Sequence, residues 1–206
     1  METAVVAHGL WMPGWETLLL RRRLAAAGYN TRLFKYSTTG VGLDANVARF
    51  RRFVAAQPGT LHLVGYSLGG VLAVRMLQQA ELGSVQRIVC LGAPLNGTQV
   101  GARLAAQPGG RRMLGRSILD LLAEAPLPPW SGVPPLGVVA GNVGVGLGRL
   151  LTSFDGANDG TVGVAETELA GANDHIVLSV SHTTMLFSRQ VADQAVSFLR
   201  HARFAH

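Results

Sequence analysis

The feature that most constrains this 206-residue chain is a Gly-x-Ser-x-Gly turn placed between two apolar segments. The run before it, residues 61–64, is short and apolar, which is typical of a strand buried on both faces. The segment after it carries apolar residues at helical spacing from Val71 onward. Gly65 and Gly69 have no Cβ atoms, so a strand and a helix can approach closely there. The pattern predicts a strand, a tight turn and a helix, with Ser67 at the tip of the turn.

A serine in such a turn is suited to act as a nucleophile. The expected backbone conformation of Ser67 is strained and directs its hydroxyl group above the sheet. Free N–H groups at the start of the following helix, including that of Leu68, can stabilise an oxyanion at this point. The serine still requires a neighbouring base before it can attack a carbonyl carbon. The alternative is a glycine-rich turn in which serine occurs by chance, because the pattern is short.

Other short motifs follow one another along the chain. They are His-Gly at 8–9, Gly-Ala-Pro at 92–94, Asn-Asp-Gly at 158–160 and Ser-His-Thr-Thr-Met at 181–185. Together with the Ser67 turn, these motifs resemble those of the α/β-hydrolase family, in particular the small lipases and esterases. The resemblance extends over nearly the whole chain. It implies a nucleophilic serine that is followed along the chain by an acid and then by a histidine.

The base and the acid are selected by their positions relative to predicted strands. His182 directly follows residues 176–180, the predicted last strand, and polar side chains gather at the carboxyl ends of strands in such folds. The other histidines after Ser67 lie at the start of that strand or in the C-terminal tail. Asp159 is followed by glycine, in a turn of the kind in which the similar family carries its acid. Asp155, which is also followed by glycine, is the alternative to Asp159.

Strands alternate with helices of ten or more residues, and this order predicts an α/β fold. We expect a single domain over residues 1–206, with a mostly parallel central sheet and helices on both faces. Helices are also predicted over residues 113–124 and 185–200. The regular alternation lapses at about residues 98–135, where the chain forms either a small lid or a crossover helix packed on the sheet.

The resemblance also indicates residues around the nucleophile. It implies that the backbone N–H of Leu10, in the loop after the first strand, joins the N–H of Leu68 in an oxyanion hole. Trp11 and Met12 follow Leu10 directly, and they form either one wall of an acyl pocket or ordinary packing at a helix start. Met185, three residues after the predicted base, is a further candidate for the pocket.

Composition limits the other classes of function. The net charge is +6, but the basic residues are scattered apart from short arginine clusters at 21–23, 51–52 and 111–112. No nucleic-acid motif accompanies them, so we expect no nucleic-acid partner. No cluster has metal-ligand spacing, and the glycines at 141–148 do not match a dinucleotide loop, so neither a metal nor a cofactor is expected. No apolar run is long enough to span a membrane, and no leader precedes the first strand. These features favour a cytoplasmic protein, with a processed secreted form as the alternative.

These observations predict an enzyme that hydrolyses carboxylic esters, an esterase or a lipase. Ser67, His182 and Asp159 form its catalytic triad, and its partner is a small-molecule ester or a lipid. Acyl transfer and thioester hydrolysis would use the same three residues. A non-catalytic binding protein that retained the serine turn is the alternative from another class. The sequence leaves the oligomeric state open.

Overall fold

The computed structural model describes residues 1–146, 154 and 156–206. Within them lies one six-stranded sheet in the order β2-β1-β3-β4-β5-β6, and all neighbouring strands are parallel. Its strands are β1 (Thr3–Ala7), β2 (Asn30–Phe34), β3 (Leu61–Tyr66), β4 (Val85–Leu91), β5 (Leu136–Gly141) and β6 (Asp174–Leu178). The predicted α/β class and the parallel sheet are therefore confirmed.

Helices connect the strands and cover the sheet. In the described part of the chain they are α1 (Leu18–Ala26), α2 (Leu43–Ala55), α3 (Leu68–Gln79), α4 (Gln99–Ala106), α5 (Gly110–Leu114), α6 (Arg116–Glu124), α7 (Val164–Thr167), α8 (His182–Met185) and α9 (Arg189–His201). A short 3₁₀ helix, Trp15–Thr17, precedes α1. Parallel neighbours require such crossovers, because each connection must return the chain to the amino end of the next strand.

Two apolar clusters lie on opposite faces of the sheet, because successive strand residues point to opposite sides. In β1, Val5 and Ala7 pack in the cluster that contains α2 and α3. Ala4 and Val6 pack in the cluster that contains α1 and α9. All four side chains are buried, which explains why β1 is apolar from Ala4 to Ala7 and does not alternate with polar residues. Helices on both faces are thus confirmed.

The strand order decides which motifs meet. β3 lies in the middle of the sheet, between β1 and β4, and its carboxyl end leads directly into Ser67. The loops after β1, β4 and β6 leave the same edge, because parallel strands all point in one direction. Residues that are far apart in sequence therefore reach one rim of the sheet.

The predicted helix over 113–124 is divided in two. α5 ends at Leu114 and α6 begins at Arg116, with Gly115 between them at φ 74°. A side chain at Gly115 would collide with the backbone of Thr39, and the Arg116 N–H donates to the Thr39 carbonyl at 2.9 Å. This close tertiary contact breaks the helix, and local apolar spacing cannot reveal it.

The predicted helix over 185–200 also begins later than its apolar pattern indicated. α8 ends at Met185 and α9 starts at Arg189. The Ser188 hydroxyl oxygen accepts a hydrogen bond from the Val191 N–H at 3.3 Å, and this cap defines the start of α9. The correction matters for function because it places His182 in a separate short helix at the rim.

Candidate active site

Ser67 lies in a strained turn between β3 and α3. Its φ of 52° and ψ of −123° belong to a region that residues with a side chain rarely adopt, at a cost of about 1–3 kcal/mol. Glycines make the turn possible, because a Cβ at Gly65 would collide with Gly70 and a Cβ at Gly69 with the Ala7 carbonyl group. The predicted strand, turn and helix are all present.

A continuous set of hydrogen bonds joins Ser67, His182 and Asp159. Ser67 Oγ lies 3.1 Å from His182 Nε2, and His182 Nδ1 lies 2.6 Å from Asp159 Oδ2. A proton on Nδ1 satisfies both contacts, since Nδ1 then donates to the carboxylate and Nε2 accepts from the serine hydroxyl group. This arrangement can remove a proton from Ser67 and stabilise the resulting imidazolium ion.

The Asp159 carboxylate is held in one orientation. It is 1% exposed, and its Oδ1 accepts hydrogen bonds from the N–H groups of Thr161 at 2.9 Å and Val162 at 2.7 Å. Its second oxygen is thereby directed at His182. The His182 backbone N–H also donates to the Asp159 carbonyl oxygen at 2.8 Å, which connects the two loops independently of their side chains.

Tyr66 and Gly92 shape the surroundings of the histidine. The Tyr66 hydroxyl group donates to the His182 carbonyl oxygen at 2.9 Å. Burial raises the pKa of Tyr66 above its ordinary value, so the phenol stays protonated and remains a donor. A Cβ at Gly92, where φ is 56°, would lie 3.1 Å from His182 Nδ1 and 3.2 Å from an Asp159 oxygen. Glycine here leaves room for the hydrogen bond between the two side chains.

Two backbone N–H groups are available beside Ser67. Within the described residues, neither the Leu10 nor the Leu68 N–H has a hydrogen-bond acceptor. Leu68 is the first residue of α3, where an N–H has no partner inside the helix. The loop that carries Leu10 touches the serine turn, because a Cβ at Gly9 would lie 3.2 Å from Ser67 Cβ. Both amides are thus placed near the serine.

His8 and Tyr36 support the loop that carries Leu10. The Tyr36 hydroxyl group donates to the His8 carbonyl oxygen at 2.8 Å, and the two rings stack with centroids 4.5 Å apart. His8 Nδ1 lies 2.9 Å from the Gly9 carbonyl oxygen. Burial lowers the pKa of His8, so the neutral ring is favoured, with Nδ1–H donating to that carbonyl. These contacts fix the course of the loop beside the serine turn.

Comparison with known proteins identifies the family of this chain. A model of the alpha/beta hydrolase family matches residues 4–203. The chain belongs to the alpha/beta hydrolase family. No curated protein matches it significantly.

Solved structures resemble this alpha/beta hydrolase at low sequence identity. The mature lipase BlEst2 of Bacillus licheniformis is 17% identical with a TM-score of 0.71, over 97% of this chain and 91% of that one. A metagenomic carboxyl esterase is 22% identical with a TM-score of 0.65, over 89% of this chain and 65% of that one. A pyrethroid hydrolase of Sphingobium faniae is 17% identical with a TM-score of 0.57, over 98% of both chains. At these identities the likeness concerns the fold.

A cavity of about 240 Å³ opens beside the Ser67 hydroxyl group in this family member. One side is formed by the loop after β1, through Leu10, Trp11 and Met12. A further part of the wall comes from the segment between β4 and β5. The remaining lining residues are Tyr66, Ser67, Leu68, Pro94, Thr98, Val100, Gly101, Leu104, Leu114, Ile118, Thr161, Val162, His182 and Thr183. Most of them are apolar, so the cavity suits a hydrocarbon group.

Two of the three predicted pocket residues line the cavity and the third does not. Trp11 and Met12 line the cavity. Met185 does not: its side chain is fully buried in the core cluster of α1 and α9, because the end of α8 turns it toward the sheet. Its assignment to the pocket is therefore corrected. Asp155, the alternative acid, lies outside the described residues, as do residues 147 and 148 of the glycine-rich loop.

Sequence reasoning missed most of the cavity wall. Leu104, Leu114 and Ile118 lie on α4, α5 and α6, and all three line the cavity. The apolar spacing of these helices was visible in the sequence. It did not tell which apolar side chain faces the site and which faces the core.

In the described part of the chain, no helix has both the length and the apolar character needed to cross a membrane. The described residues likewise contain no group of three or more His, Cys, Asp or Glu side chains that could hold a metal ion.

Proposed function

We propose that this protein is a serine hydrolase that cleaves carboxylic esters, with Ser67, His182 and Asp159 as its catalytic triad. The observation that carries the proposal is the hydrogen-bonded set from Ser67 Oγ through His182 to Asp159 Oδ2 at the mouth of an apolar cavity. The names of the similar solved structures, which include a lipase and a carboxyl esterase, support the same chemistry.

Acylation follows from the positions of these groups. His182 Nε2 accepts the hydroxyl proton while Ser67 Oγ attacks the ester carbonyl carbon. Asp159 stabilises the imidazolium ion and keeps the Nδ1 proton in place. The N–H groups of Leu10 and Leu68 donate to the oxyanion, a contribution worth several kcal/mol in such sites. The imidazolium ion then protonates the leaving alcohol, and an acyl-enzyme remains.

Deacylation uses the same groups, with a water molecule as the nucleophile and Ser67 as the leaving group. His182 removes a proton from a water molecule, the resulting hydroxide attacks the acyl carbon, and Ser67 leaves with the proton returned by the imidazolium ion. A thiol ester would acylate the same serine, and an alcohol could replace the water. Assays with thioesters, and with alcohols as acyl acceptors, would therefore distinguish these two reactions from ester hydrolysis.

Labelling by a fluorophosphonate tests the nucleophile directly. We expect one equivalent of probe to attach to the peptide that contains Ser67, as detected by mass spectrometry. Ser179→Ala, which changes an exposed serine after β6, should label like the wild type. Attachment at another serine, or no attachment to the folded protein, would contradict the proposal and favour a binding protein.

We propose that the segment 98–135 walls the acyl side of the cavity and limits chain length. Ile118→Trp adds volume at a lining residue, so hydrolysis of p-nitrophenyl octanoate should fall relative to that of the acetate. Since one methylene group in an apolar pocket changes selectivity by about 10-fold or more, a ratio change of at least that size is expected. The measurement is kcat/KM for a series of p-nitrophenyl esters.

Leu119→Trp is the matched control for this change. Leu119 neighbours Ile118 on α6 but does not line the cavity. The ratio of octanoate to acetate hydrolysis should therefore stay near that of the wild type. Equal changes in both variants would mean that α6 does not limit chain length.

A further inference from the structure

Large apolar side chains are exposed on segments that adjoin cavity-lining residues in the chain. Trp15 is 71% exposed and Phe187 is 47% exposed, whereas most large apolar side chains of the protein are buried. We define the apolar rim as Trp11, Trp15, Leu18, Met113 and Phe187. Such a concentration of exposed rings and aliphatic groups at one edge marks an interaction surface.

The apolar rim is continuous although its residues come from separate elements. Trp11 and Met113 adjoin each other, because the Trp11 indole N–H donates to the Met113 carbonyl oxygen at 2.9 Å. The short helix that begins at Trp15 runs directly into α1, whose first residue is Leu18. Arg23 of α1 donates to the Phe187 carbonyl oxygen at 2.8 Å, which brings α1 beside the end of α8.

Arginines interleave with these apolar side chains. Arg22 lies one helical turn after Leu18, and Arg111 and Arg112 precede Met113. All three are exposed, and none has an ion-pair partner within the described residues. Exposed arginines without an ion-pair partner among the described residues also occur elsewhere, such as Arg49 and Arg52 of α2, but at the rim they stand beside exposed apolar side chains.

We propose that the apolar rim docks the protein on an anionic lipid bilayer, with the cavity mouth facing the membrane. Tryptophan favours the boundary between headgroups and acyl chains, and arginines are attracted by anionic headgroups. A second copy of this chain fits less well, because a symmetric contact would bring the same unpaired arginines together in a protein of net charge +6. Docking does not require catalysis, so it can be tested independently of the proposed hydrolysis.

Vesicle co-sedimentation tests the proposal with the full chain. The protein should bind vesicles of equimolar phosphatidylglycerol and phosphatidylcholine and should not bind phosphatidylcholine alone. High salt should weaken binding, because screening shortens the reach of the charges. Ser67→Ala should bind like the wild type, so a failed hydrolase assignment would leave the docking result intact.

Paired substitutions separate the rim from overall charge. Arg111→Gln with Arg112→Gln should weaken binding about 30-fold, since each cation near an anionic surface contributes about fivefold. Arg49→Gln with Arg52→Gln removes the same charge from two exposed residues in the second half of α2. This control pair should retain wild-type binding.

Tryptophan fluorescence reports which surface enters the lipid. Trp130 is 5% exposed and stays in the core, so a blue shift on adding anionic vesicles would arise from Trp11 and Trp15. Trp15→Phe should reduce that shift. Absence of binding to anionic vesicles, equal losses in the two arginine pairs, or an unchanged emission maximum would overturn the proposal. So would a stable dimer of the wild type that Trp15→Ser dissociates.

Discussion

Ser67→Ala is expected to lower kcat for p-nitrophenyl esters by about 10⁶-fold, because removal of a nucleophile in a triad leaves only the contributions of binding and the oxyanion hole. The loss should appear in kcat more than in KM, since the cavity wall is unchanged. Steady-state kinetics with a short-chain ester measures both constants.

Folding serves as the control for this variant. The methyl group of alanine fits the space of the Ser67 side chain, and the strained φ of 52° is kept, so the thermal midpoint should stay within a few degrees. Turnover at the wild-type rate in a folded Ser67→Ala protein would refute the triad. A variant that fails to fold would show instead that the turn depends on the hydroxyl contact with His182. In that case His182→Ala, which removes the same contact, should also fail to fold.

Asp159→Asn is expected to reduce kcat by about 10⁴-fold through the tautomer of the histidine. The carbonyl oxygen of the new amide side chain can keep accepting from the Thr161 and Val162 N–H groups, so its NH₂ group then faces His182 Nδ1. Nδ1 must therefore accept, the proton moves to Nε2, and Nε2 can no longer take the proton of Ser67. The measurement is kcat for p-nitrophenyl esters at a series of pH values from acid to neutral.

Asp155→Asn is the matched control for Asp159→Asn. The two residues are the competing acids of the sequence, and each is followed by glycine. Asp155→Asn should leave kcat within a few-fold of the wild type. The opposite ranking of the two variants would assign the acid to Asp155 and leave Asp159 a structural role.

The general fold could be predicted because its signals are local. Apolar runs separated by amphipathic helices indicate a parallel sheet, and the strands observed from β1 to β6 lie within a few residues of those runs. The turn at Ser67 could be predicted from Gly65 and Gly69, because the close backbone contacts at both positions leave no space for a Cβ atom.

Predictions failed where tertiary contacts override periodicity. The apolar spacing of 113–124 continues through Gly115, yet contact with Thr39 divides the helix. The pocket assignment of Met185 failed for a related reason. An apolar residue near a polar motif can face either the site or the core, and the orientation of α8 turns Met185 into the core.

The sequence by itself determined the order of the strands and the serine turn, and it predicted Ser67 as nucleophile and His182 as base while leaving Asp159 and Asp155 as competing acids. Those features depend on spacing, glycine and residue type, which act over a few neighbours along the chain. Only the tertiary structure decided that His182 Nε2 reaches Ser67 and that α4, α5 and α6 wall the cavity. The physical reason is that these distances depend on the order of the parallel strands in the sheet and on the packing of the loops at the carboxyl ends of the strands.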